Sequence, residues 1–236
     1  MYKTIVLVVC MALLLAACSS PTADPAQSPP AAATDTPQAM PPTEVVDATQ
    51  PPTPAGESLV VYRIVPGESE LKYEVGETFL DQNNRFNLAV GTTPQVAGEV
   101  RVDKTAPQNS SLGIITADIS QFTSDSSRRD GALRNRFLES ARYPIVTFTP
   151  QNIEGLPASY TEGEELSFKV SGDLTIREVT RPVAFEVKAR LNGDMLSGEA
   201  VTTILMSEFG FGPISIAGIL NTEDEVKVTL TFVARP

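Results

Sequence analysis

From Leu59 onward, apolar and polar residues alternate with a period of two. At that spacing successive side chains fall on opposite faces of a β-strand. Leu71, Tyr73 and Val75 form one stripe; Phe86, Leu88 and Val90 form another. Val100 and Val102 follow, then Ile115, Ala117 and Ile119, then Val146 and Phe148. Leu166, Phe168 and Val170 lead on to Leu174 and Ile176, and Val183, Phe185, Val187, Ala189 and Leu191 make one of the longest runs. Ala200, Thr202, Ile204 and Met206, then Val226, Val228, Leu230 and Phe232, complete the series. Turn signals separate the stripes at Pro66-Gly67, Asn83-Asn84, Gly155-Leu156-Pro157 and Asn192-Gly193-Asp194. Asn192-Gly193 suits a type I′ hairpin, because both residues tolerate positive φ. One segment departs from the period of two. Ser126 to Ser140, with Leu133 and Phe137 four apart, reads as a short helix capped by Asp125 or Ser126 and weakened by Gly131. The pattern predicts an all-β domain with one helical insertion, either a closed antiparallel barrel of about eight strands or a β-sandwich.

The first quarter of the chain has none of this alternation. A single Lys3 precedes an apolar run from Ile5 to Ala17. That run is too short for a bilayer span, which takes about 20 residues, and fits the core of an export signal. It ends in Leu15-Ala16-Ala17-Cys18, which resembles a bacterial lipobox. The resemblance implies cleavage before Cys18 and a diacylglycerol on its thiol. Ser19 to Glu57 is rich in Pro, Ala, Thr, Ser and Gln and has no aromatic residue. Such a composition cannot bury enough apolar area to offset its ordering entropy. The expected organisation is a signal peptide over 1–17, a lipidated Cys18 with a disordered spacer through 57, and a folded domain over 58–236. The expected location is the cell envelope, on the extracytoplasmic side, anchored to a membrane through Cys18.

Composition removes several functions. The chain carries a formal net charge of −11. The part from Ser58 onward has 17 basic and 24 acidic residues, a net −7, with no basic block. Nucleic acid is therefore not an expected partner, since phosphate binding needs clustered Lys and Arg. There is no histidine, and both cysteines, Cys10 and Cys18, lie in the N-terminal segment. The domain therefore has no Ser-His-Asp or Cys-His arrangement, no usual zinc site and no thiol nucleophile. No catalytic residue, metal or cofactor is expected. Asp125 and Asp130 carry oxygens suited to a hard cation, but not at EF-hand spacing.

Three blocks resemble a known family. Asp130–Phe148, DGALRNRFLESARYPIVTF, is similar to the D-x-x-(I/L)-R signature with its following Tyr-Pro and Phe in YceI-like proteins. Gly172–Val183, GDLTIREVTRPV, resembles the family's G-x-L-T-I-(R/K)-G-V-T-(R/K)-P-V, with Glu178 where Gly is usual. Ser207–Leu220, SEFGFGPISIAGIL, followed by a last strand, completes the set in family order. The stretch Glu77–Pro94 departs from the family's shorter beginning, often His-containing, which bears on the mouth of any cavity. The resemblance implies a lipocalin-like eight-stranded antiparallel β-barrel with a lengthwise apolar cavity. It also implies binding of a long isoprenoid lipid, quinone-like or prenyl, for sequestration, storage or transport. It brings no catalytic residues.

On this reading the ligand-lining candidates are Tyr73, Val75, Phe86, Leu88, Phe148, Phe168, Val170, Phe185, Val187, Ile204, Phe209, Phe211, Leu230 and Phe232. Each also fits ordinary core packing, and a one-residue register error would exchange the faces. Arg134 and Arg136, near Glu139, are candidates for a ligand head, closure of the barrel end or surface salt bridges. Two other functions stay open: a structural or interaction module with a filled barrel core, and a carboxylate enzyme needing two converging acids. A homodimer is also left open.

Overall fold

The computed structural model describes residues 59–236. The candidate signal, Cys18 and the spacer lie outside the described residues. Within them the strands pair in chain order. β1 (Leu59–Ile64) and β2 (Glu70–Phe79) form the first row of the sheet, and β3 (Arg85–Thr93), β4 (Val96–Ala97) and β5 (Glu99–Asp103) form the second. β6 (Ser111–Leu112), β7 (Ile115–Asp118) and β8 (Thr123–Ser124) form the third. Four single strands follow: β9 (Ile145–Glu154), β10 (Glu165–Ile176), β11 (Val179–Asn192) and β12 (Met195–Leu205). After the short β13 (Ser215–Ile216), β14 (Leu220–Arg235) makes the eighth row.

Each row is antiparallel to the next. β1 and β2 pair with β5 and β3; β3, β4 and β5 pair with β8, β7 and β6; β7 pairs with β9. The ladder runs on through β10, β11 and β12 to β14. One edge of β14 then returns to both β1 and β2. The pairings close on themselves, so the sheet is an up-and-down barrel of eight rows with the apolar stripes inside. The first rows are broken where the ladder cannot continue. Pro66 and Pro94, which have no N–H to donate, sit at two of the breaks.

The helical segment crosses one end of the barrel. α1 (Ser127–Ala132) starts at Ser126, whose hydroxyl accepts from the Arg129 N–H at 3.3 Å. It runs into a π-turn, Leu133–Phe137, rather than continuing as α-helix. Three arginines hold it: Arg129 on Glu77, Arg134 donating to the Ser120 carbonyl at 3.1 Å, and Arg177 donating to the Phe137 carbonyl at 3.1 Å. The β2–β3, β10–β11 and β13–β14 turns share this cap end. At the opposite end lie Leu59, the loop after β5 and the β11–β12 turn. There the Lys104 ammonium reaches the Gly193 carbonyl, and the Gly193 N–H reaches Glu162.

The β11–β12 turn differs from the sequence expectation. Asn192 pairs with Met195, so the central residues are Gly193 and Asp194, and of these only Gly193 has positive φ, +58°. A type I′ turn needs positive φ at both central positions, so this is not one.

Candidate functional site

The barrel interior is not filled. A wide chamber of about 330 Å³ lies towards the cap end and a narrow one of about 140 Å³ towards the opposite end. Leu112, Ile115, Val170, Val187, Ala200 and Leu230 line both and form the waist between them. Their combined size falls within the range of small-molecule sites. The walls are almost wholly apolar because each inward stripe arrives from a different strand at the same face. The cap contributes Ala132, Leu133, Phe137 and Leu138 to the wide chamber.

Most of the candidate residues meet here. Tyr73, Val75, Phe148, Val170, Phe185, Val187, Ile204, Phe211 and Leu230 line the wide chamber. Phe168 and Phe232 line the narrow one, beside Val170, Val187 and Leu230. Phe148 and Phe185 pack edge to face with centroids 5.0 Å apart. Three candidates are placed elsewhere. Phe86 and Leu88 are on the outer face, 61% and 52% exposed. The inward positions of β3 are Ala89, Gly91 and Thr93, so the stripe that looked like a core face is the solvent face. Small residues are needed inside: a Cβ on Gly91 would come within 2.3 Å of the Tyr73 ring. Phe209, only 1% exposed, is buried in the turn after β12 and lies outside both chamber walls.

A buried ion pair is set into the wall of the wide chamber. Glu77 continues the inward stripe of Leu71, Tyr73 and Val75 and is only 4% exposed. Arg129, reaching in from α1, grips its carboxylate with Nε at 3.0 Å and Nη2 at 2.7 Å. Asn87 donates to the same carboxylate at 3.3 Å. The other arm of Arg129 meets the Ser124 hydroxyl at 3.1 Å and Asp125. The bond to Glu77, more than any other contact, holds the guanidinium pKa above its ordinary value. Asp130 accepts from the Ser124 hydroxyl at 2.6 Å. Asp125 and Asp130 are thus committed to Arg129 and Ser124 rather than converging on a cation. Beside this cluster the Tyr73 hydroxyl is sealed from solvent, with the Ser124 hydroxyl as its polar neighbour. Burial pushes its pKa up to about 12.

The sequence reading missed the Glu77–Arg129 pair. Its signal was a charge standing on an apolar stripe. Of the roles open to Arg134 and Arg136, Arg134 takes closure of the barrel end, tying the cap to Ser120, and Arg136 lies 5.3 Å over the Phe137 ring. Glu139 pairs instead with Arg177, at 2.8 Å. Glu178, the departure from the family block, is exposed and pairs with Arg142 at 3.7 Å.

Comparison with known proteins agrees with this geometry. The YceI-like domain family matches residues 62–234. Proteins named YceI from Escherichia coli O157:H7 and Salmonella newport are 30% and 29% identical over 117 residues, 49% of this chain and 56% of theirs. The chain therefore spans about half the length of the curated relatives it matches. The fold resembles BcnA of Burkholderia cenocepacia, with a TM-score of 0.56 at 21% identity, over 72% of this chain and 98% of that one. It also resembles a polyisoprenoid-binding domain from Saccharophagus degradans implicated in plant cell wall breakdown, with a TM-score of 0.56 at 15% identity, over 74% and 97%.

Proposed function

This chain belongs to the YceI-like domain family, and on that premise we propose that its barrel binds a long apolar lipid of isoprenoid type, laid lengthwise through both chambers. The observation that carries the reading is the shape and chemistry of the interior: two chambers end to end, joined at an apolar waist. A hydrocarbon chain gains about 25 cal/mol for each Å² of apolar surface removed from water. A wall built from eight inward stripes supplies that surface without presenting a polar group along most of its length. The polyisoprenoid-binding neighbour of the same fold supports the same class of ligand. The protein acts as a holder of lipid, for sequestration, storage or transport, and not as a catalyst: the carboxylate in the wall is neutralised by Arg129 instead of facing a second free acid. Acylation of Cys18 anchors the chain to a membrane in the cell envelope, on the extracytoplasmic side, and the spacer carries the barrel away from it.

The test is direct uptake. Delipidated protein is incubated with a long-chain prenyl quinone and separated from free lipid by gel filtration. Quinone absorbance should follow the protein peak at about one molecule per barrel. Protein that remains folded and carries no quinone contradicts the proposal.

A further inference from the structure

Eight large apolar residues are exposed among the described residues, and their distribution is uneven. Leu80, Phe86, Leu88, Ile145 and Ile219, between 38% and 61% exposed, belong to the cap half of the barrel. Leu59 and Met195 are at the opposite end, and Ile114 lies between. Four of the five are grouped within that half. The Leu80 N–H donates to the Ile219 carbonyl at 2.7 Å, so the β2–β3 and β13–β14 turns project together. Phe86 and Leu88 follow on the outer face of β3, whereas Ile145 opens β9, farther round the rim. The apolar surface is also continuous with the interior, because Ile219, with its neighbours Phe79 and Leu220, lines the wide chamber. Charges on this rim are mixed: Arg85, Arg128 and Arg142 stand among Asp81, Glu178 and Glu223.

We infer that the cap-end rim is a membrane-contacting portal, whose exposed apolar side chains enter the interfacial layer of a lipid bilayer so that a lipid passes from bilayer to wide chamber without crossing water. This rests on the lipid-binding reading above and adds to it the surface through which the ligand enters. The mixed charge commits the contact to apolar insertion, with a zwitterionic bilayer sufficient. The course of the chain is compatible with it. The described chain begins at Leu59, at the end remote from the rim, so an anchored barrel must turn to bring the rim to the membrane. β14 spans 16 residues. At about 3.3 Å per residue and the usual strand tilt, the barrel is about 40 Å long. The 39 residues from Ser19 to Glu57, Pro-rich and able to reach on the order of 100 Å when extended, exceed that length.

The chain has no tryptophan, so a single introduced indole reports its own surroundings. The full lipidated protein carrying Phe86→Trp is reconstituted on phosphatidylcholine vesicles with brominated acyl chains, and Met195→Trp serves as the reporter for the opposite end. Emission of Phe86→Trp should shift to the blue and fall by about half or more, with Met195→Trp unchanged. Equal quenching of both, quenching of Met195→Trp alone, or a blue shift that needs only protein concentration and reflects pairing of two copies, overturns the inference. Phe86→Asp with Leu88→Asp gives a second readout, since neither residue lines a chamber. Uptake of a prenyl quinone from vesicles should slow about tenfold, while uptake from detergent solution stays unchanged. Unchanged uptake from vesicles overturns the portal alone. Loss of uptake from both sources in the unsubstituted protein overturns the lipid-binding reading instead.

Discussion

At the scale of single residues, the least ordinary feature is an ion pair set into an apolar wall. Removing one partner of such a pair leaves the other buried and uncompensated. Arg129→Met should therefore destabilise the domain by about 3 kcal/mol, read from the shift of the urea midpoint. The double variant Arg129→Met with Glu77→Met should recover most of that loss, because neither charge then remains. A recovery of nothing would mean that Arg129 acts through the cap and not through Glu77. Tyr73 gives a pH signature of known sign. Its folded pKa is raised to about 12 from 10 by burial, so between those values the unfolded phenol has lost its proton while the native one keeps it. Stability is fully present below pH 10 and falls as the pH rises towards 12. The loss approaches roughly 2–3 kcal/mol at the top of that window. Tyr73→Phe should flatten this part of the stability profile, and absorbance titration of the unsubstituted protein should show a late-ionising tyrosine that Tyr73→Phe removes. Neither Tyr73's burial nor the Glu77–Arg129 pair is legible in composition, because each depends on which strand face meets which.

At the scale of elements, period-two patterning marked the inward face of most of the longer strands, from Leu71, Tyr73 and Val75 to Val226, Val228, Leu230 and Phe232, and left β1 and the two-residue strands unmarked. It failed at β3. There the large apolar residues Phe86 and Leu88 face out, and small residues face in beneath the Tyr73 ring. Hydrophobicity alone cannot report that a neighbouring ring has taken the interior space. The helical insertion was legible through its Ser126 cap, but not its change to a π-turn at Leu133, a segment that Arg134 and Arg177 tie to the barrel. Two glycines should behave oppositely. Gly131 is helical with nothing near its absent side chain, so Gly131→Ala should raise stability by about 0.5–1 kcal/mol. Gly172 sits where the β9–β10 register shifts, and a Cβ there would meet the Thr149 carbonyl within 2.3 Å. Gly172→Ala should lower stability by about 2 kcal/mol, since backbone cannot yield as a flexible side chain does. Thermal melts of the two variants check both signs.

At the scale of the whole molecule, the closed ring of pairings explains why the chain can keep a hollow centre. A barrel has no free sheet edges along most of its circumference, and its strands are held by their neighbours and not by side chains meeting at the axis. The eight-stranded architecture was legible from alternation joined to the three family-like blocks; the chambers were not, because filled and hollow barrels share one pattern. An isoprenoid lipid held in these chambers must pass the waist, so binding can be tested there. Ala200 lines both chambers and is buried, whereas Thr203, on the same strand, points outward. The measurement is mass spectrometry of lipid extracted from protein purified gently from the membranes of the producing cell, for the unsubstituted chain, Ala200→Phe and Thr203→Phe. An isoprenoid lipid is expected at about one per chain in the unsubstituted protein and in Thr203→Phe, and at about tenfold less in folded Ala200→Phe. Chains that are empty in all three cases, or an equal lipid load in Ala200→Phe, would contradict that binding.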